Sequence, residues 1–154
     1  MASSAAHNTP GGSSRTPVQL AALVVGVVFL LVGILGFIPG ITTNYGALQF
    51  AGHESEAFLL GVFQVSILHN IVHLLFGAAG IAMAKTGPSA SKYLIVGGII
   101  YAVLWIYGLI VAPESGANFV PLNTADNWLH LVLFIGMVAM GFLPGRKTAA
   151  TARA

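Results

Sequence analysis

Residues 66–80 read SILHNIVHLLFGAAG, two histidines and an asparagine inside an otherwise apolar run. What that run is embedded in decides how to read it. Of 154 residues, 56% are hydrophobic and 6% are charged, whereas a soluble domain carries about 25% charged residues. Too few polar side chains exist to cover a globule of this size, so most of the surface must face lipid. Cysteine is absent, which excludes disulfides, thiolate metal sites and a cysteine nucleophile. Six Lys and Arg stand against four Asp and Glu, too small an excess to point to nucleic acid as a partner.

Working outward, four apolar runs emerge, at 18–38, 57–84, 93–112 and 124–143. At about 1.5 Å per residue each matches a hydrocarbon core of roughly 30 Å, and the second has length to spare for tilt. The first run exceeds the h-region of a signal peptide and no A-x-A-like site follows it, so it reads as a retained helix. All seven prolines fall outside the runs, so breakers and helices agree. Thr124 is positioned to cap the fourth helix, with Asp126 in its first turn. Residues 1–17 and the basic 144–154 are expected as disordered tails. Residues 41–56 form a polar connection, in which His53-Glu54-Ser55-Glu56 reads as a solvated acidic loop rather than a cation site. Residues 85–92 form a short turn and 113–123 a loop. The expected fold is all-α, a polytopic four-helix transmembrane bundle in one domain.

Charge then orients it. Arg15, Lys85, Lys92, Arg146, Lys147 and Arg153 lie in the two tails and the second connection; Glu54, Glu56, Glu114 and Asp126 lie in or beside the first and third. With four spans, these are opposite sides of one membrane. The positive-inside rule makes both termini cytoplasmic and the protein a multi-pass component of a bacterial cytoplasmic membrane. Trp105, Tyr107 and Trp128 fall toward the outer helix ends, where an aromatic belt belongs.

On the second helix, His69 and His73 share one face, and Ser66, Gly77 and Gly80 roughly extend it. On the fourth, Asp126, Asn127 and His130 recur. His69 and His130 are equally far along the chain from Lys85 and Arg146, which puts them at matching depth in the outer half of the membrane. HNIVHL at 69–74 matches DNWLHL at 126–131 at Asn, His and Leu. That is the mark of a parallel internal repeat about an axis along the membrane normal. Ionisable groups within membrane spans are functional candidates by default. Histidines from two helices can ligate haem iron axially, or hold zinc or divalent copper with a carboxylate. A proton or quinone relay through His69, His130 and Asp126 is a further option. The spacing does not choose among these. A zinc protease is disfavoured, because position 70 is Asn where HExxH needs Glu, and no P-loop, dinucleotide fingerprint or nucleophile elbow occurs.

Through FQVSILHNIVHLLFGAAGIAMA and NTADNWLHLVL, the chain resembles a family of small four-helix bacterial membrane proteins, common in actinobacteria and catalogued only as a domain of unknown function. The resemblance covers about residues 18–143, with HNIVHLLFG and DNWLHL its most specific pieces. It implies an integral protein of the bacterial cell envelope and carries no activity. The four-helix layout is also similar to small quinone-associated DoxX-type proteins, a likeness of fold alone.

The expectation is therefore a lipid-embedded protein that holds a haem or a divalent metal ion through His69, His73 and His130, with Asp126 as a further metal ligand. The alternative is a non-catalytic structural or accessory protein, a homo-oligomer or membrane-complex subunit, whose histidines clasp helices two and four alongside Asn70 and Asn127.

Overall fold

The structure is a computed structural model, and it describes residues 14–145. Most of the expected tails therefore lies outside the described residues. Four helices run in the order expected: α1 (Pro17–Leu35), α2 (Ile67–Met83), α3 (Gly87–Ile110) and α4 (Thr124–Gly141). A three-stranded antiparallel sheet, β1 (Thr42–Thr43), β2 (Ala57–Leu59) and β3 (Phe63–Val65), sits in the α1–α2 connection. The protein is mostly helical, not all-α.

The sheet corrects the helix expected at 57–84. Its first residues are a hairpin pairing Ala57 with Val65 and Leu59 with Phe63. Leu60 and Gly61 turn the chain at φ 55° and 71°, in the left-handed region that no helix interior tolerates. Ser66 then starts α2 by accepting the His69 backbone N–H at 3.1 Å. Hydropathy missed the break because Ala57, Leu59 and Val65 are themselves buried, against Val32, Leu35, Ile41 and Leu48. A short buried strand and a helix segment have the same apolar run.

Two other ends differ. α3 starts at Gly87 rather than 93, capped by Thr86, which accepts from the Ser89 N–H at 3.3 Å. Pro88 lies inside its first turn, as Pro17 does in α1, where a missing N–H leaves no bond unmade. At α4 the cap is Asn123, not Thr124. Asn123 Oδ1 accepts from Asp126 N at 2.9 Å and Asp126 Oδ2 from Asn123 N at 3.1 Å, a reciprocal capping box.

α1, α3 and α4 are each long and apolar enough to cross a membrane, while α2 is apolar but shorter, at 17 residues. Their outward faces carry Leu20, Val24 and Leu31 on α1, Ile99, Val103 and Ile106 on α3, and Val132 and Ile135 on α4, all exposed. Apolar faces of this kind suit contact with a bilayer.

α1 packs along α2 and α3 along α4, and these two pairs meet more sparsely. The pairs are copies of one another. A Cβ on Gly26 would lie 2.8 Å from Ile81 N and 2.9 Å from Gly77 O; one on Gly98 would lie 3.1 Å from both Val138 N and Phe134 O. Gly36 closes on the Asn70 amide and Gly108 on that of Asn127. Gln19 donates to Ala84 O at 3.1 Å, and Ser91 donates to Gly141 O at 2.7 Å. Ser66 and Asn123 cap the two second helices in the same way. Each correspondence keeps one offset from α1 to α3 and one from α2 to α4. The faint HNIVHL and DNWLHL echo is thus the visible part of a repeat in which each helical hairpin is one unit.

Candidate functional site

Which way α2 faces follows from its glycines. Gly77 and Gly80 are buried against α1: a Cβ on Gly77 would meet Leu30 N at 2.5 Å and Gly26 O at 2.7 Å. The small-residue face of α2 therefore packs inward on α1, and α2 lies apart from α4 in backbone position. His69 and His73 flank this face, their ring centroids 4.4 Å apart. His130, at the position of α4 that corresponds to His73, is 4% exposed.

Aromatic rings connect the two halves. Phe29 of α1 stacks on Tyr101 of α3, its counterpart in the repeat, at 5.6 Å and 15°. Phe29 lies 5.5 Å from His73, and Tyr101 lies 5.2 Å from His130. The same ring contact is thus made once in each half. Sequence reading missed Phe29 and Tyr101, because the echo was followed only through the second helix of each hairpin. Aligning the first helices at the same register would have paired them.

Two cavities flank this stack. One, of about 260 Å³, lies on the α2–α3 side under Phe119 and Pro121, with Val72, Ile100, Tyr101 and Leu104 in its wall. The other, of about 190 Å³, lies on the α1–α4 side under the β2–β3 hairpin, with Val28, Phe29, Val32 and Leu129 in its wall. Those two sets of four are repeat equivalents, so the cavities are two versions of one space. His69, His73 and His130 border both, and Asp126 borders the second. Repeat position 69 corresponds to 126, so His69 and Asp126 mark where the halves have diverged.

The polar groups of this region are mostly unpaired. The Nδ1 atoms of His69, His73 and His130 are all buried without a partner. The clasp expected from Asn70 and Asn127 does not form. Both amide atoms of Asn70 and Oδ1 of Asn127 are buried and unbonded, packed against Gly36 and Gly108 of their own hairpins. Asp126 is the exception. Its Oδ2 accepts from Asn123 N at 3.1 Å and from Gln64 N of β3 at 3.0 Å, pinning the hairpin over the start of α4.

The ligand set expected for a metal is not assembled: among the described residues, no group of three or more His, Cys, Asp or Glu side chains is placed to hold a metal ion. His69 and His73 sit side by side on one helix, so a haem held between two helices would take one of them together with His130.

Residues 19–143 match the family model described as a domain of unknown function, DUF4383. The chain belongs to this family. No curated protein and no solved structure matches it. The DUF4383 match runs from α1 to just past α4 and so takes in both halves of the repeat and every residue of the two cavities.

Proposed function

We propose that this DUF4383 protein is a four-span integral membrane protein, with both termini on the cytoplasmic side. We infer that it binds a small, largely apolar molecule bearing a hydrogen-bonding group in the paired cavities beside His69, His73 and His130. One observation carries the reading: three imidazoles, each with its Nδ1 buried and unpartnered, border apolar spaces that a ligand can enter. A buried polar atom left unpaired costs about 1–3 kcal/mol, and a neutral imidazole offers one donor and one acceptor. An apolar pocket with a few convergent polar groups is the usual form of a small-molecule site. An organic ligand uses such groups one at a time, whereas a metal needs several lone pairs to converge on one point. The reading of a chelated metal is therefore set aside, and both amide atoms of Asn70 and Oδ1 of Asn127 are left without the bonds a helix clasp would use.

The test uses 2-naphthol and its methyl ether, 2-methoxynaphthalene, with the protein in detergent. At about a hundredfold excess over Kd, a ligand of the folded state adds about 2.7 kcal/mol of stability, a clear rise in Tm. The double variant Val28→Trp, Ile100→Trp puts an indole over each cavity from positions about half exposed, and it is expected to lose the response while still folding. If neither probe raises Tm saturably, or the plugged variant responds like the native chain, the reading fails.

The topology has its own check, made simple by the absence of cysteine. Glu54→Cys and Glu114→Cys are expected to react with a membrane-impermeant maleimide in intact cells, and Lys85→Cys only after permeabilisation. Labelling of Lys85→Cys in intact cells would reverse the orientation. α2 then crosses a core of about 30 Å with roughly 25 Å of helix, and local thinning of the bilayer or the hairpin above it covers the difference.

A further inference from the structure

Of the two cavities, only the one on the α1–α4 side has a carboxyl-bearing residue in its wall, and that names a ligand class. Asp126 borders it, while its repeat equivalent, His69, borders both cavities. Both hydrogen bonds to Asp126 fall on Oδ2, and Oδ1 accepts none among the described residues. Asp126 is 3% exposed, so the second oxygen has little water to bond with. In its ionised form the carboxylate can only accept, and the ligand atom that meets that form is a donor.

Charge narrows the class further. Among the described residues no Lys or Arg borders either cavity, so the phosphate or carboxylate of an anionic lipid would be buried unpaired, which is strongly unfavourable. The Asp126 charge is already met by two backbone N–H groups at the positive end of α4, which removes most of its need for a cation. A neutral hydroxyl fits both conditions. The route in is set by the packing. The two helical hairpins meet sparsely, α1 and α4 more so than α1 and α3, and Val28 on the α1–α4 seam both borders the cavity and is 51% exposed. In a bilayer, that exposed face looks into lipid.

We propose that the α1–α4 cavity takes an uncharged, lipid-dissolved alcohol or phenol, which enters sideways between α1 and α4 and donates its hydroxyl to Oδ1 of Asp126, its apolar body lying against Phe29, His73 and His130. This rests on the ligand-binding reading above and adds to it the ligand's class, its orientation and its path.

The experiment compares the same two probes, which differ by one donor, across three variants. The native chain binds 2-naphthol about tenfold more tightly than 2-methoxynaphthalene, the worth of one hydrogen bond to a charged group. Asp126→Asn places an amide that can donate where the acceptor stood, so the preference disappears or inverts toward the ether. Val28→Trp abolishes the hydroxyl preference by closing the seam. Val103→Trp, equally lipid-facing on α3 and away from both cavities, leaves it unchanged. Circular dichroism and Tm of each variant without probe confirm folding. Equal binding of the two probes, or a preference that survives Asp126→Asn or Val28→Trp, overturns this proposal while the broader binding reading stands. Failure of both probes to bind overturns the two together.

Discussion

Gly77→Leu is expected to destabilise the protein by about 3 kcal/mol or more, a larger effect than any other single helix substitution considered. The first atom of the new side chain would sit 2.5 Å from Leu30 N, 2.7 Å from Gly26 O and 2.9 Å from Leu30 Cα. All three are backbone atoms, so no rotamer change can relieve the clash. α1 and α2 would have to separate, and the close packing between them would be lost along its length. Overpacking a core commonly costs about 1–3 kcal/mol, and more when the neighbour cannot yield. In lipid, close backbone approach through small residues is itself a main source of helix association. Gly136→Ala supplies the contrast: a Cβ there meets nothing within 4 Å. Alanine is the better helix former by about 1 kcal/mol, so that variant should match or exceed native stability. Denaturant-induced unfolding in detergent micelles measures both. A loss under about 1 kcal/mol for Gly77→Leu would show that the helices are not held at this separation.

That contrast bears on what could be read from residues alone. Gly77 and Gly136 both sit in apolar helical runs, and nothing local separates them; the difference is the backbone on the other side. The long-range order of the chain was legible because hydropathy, prolines and charge each mark helices independently. The hairpin at 57–65 was not, because burying one side of a short strand and burying a helix select the same residues. The site was half legible. His69, His73, Asp126 and His130 stand out because polar groups in apolar runs need a reason, and they do border common cavities. Which partners they face was another matter. The expectation joined α2 to α4 through equal depth, yet each packs on the preceding helix of its own hairpin, and the stack of Phe29 on Tyr101 links His73 to His130. Within the repeat His130 corresponds to His73 rather than to His69, so a depth counted from Lys85 and Arg146 is off by about one helical turn.

Asp126→Ala is expected to remove about 3 kcal/mol and, with it, the fixed position of the hairpin. The substitution strands two buried donors, Gln64 N and Asn123 N, now 3.0 and 3.1 Å from the lost oxygen. Each unmade bond costs about 1–3 kcal/mol, and the capping box goes with them. The Asn123 amide belongs to the start of α4, but Gln64 belongs to β3. One carboxylate oxygen therefore joins two segments 62 residues apart in sequence. Losing it should loosen β3 from α4 before either element melts. Amide exchange at Gln64 and Asn123 should accelerate together, while amides of α1 and α3 keep their native rates. Asp126→Asn retains one oxygen that can accept both bonds, so its stability should fall by only about 1 kcal/mol. The two variants thereby separate the roles of one residue. The structural role is served by either Asp or Asn, because it needs only an acceptor at Oδ2. The proposed ligand role is served by Asp alone, because only a carboxylate carries a second acceptor oxygen. If Asp126→Ala lies within about 0.5 kcal/mol of native, Asp126 does not tie the hairpin to the bundle, and the roof over the α1–α4 cavity must be held by something else.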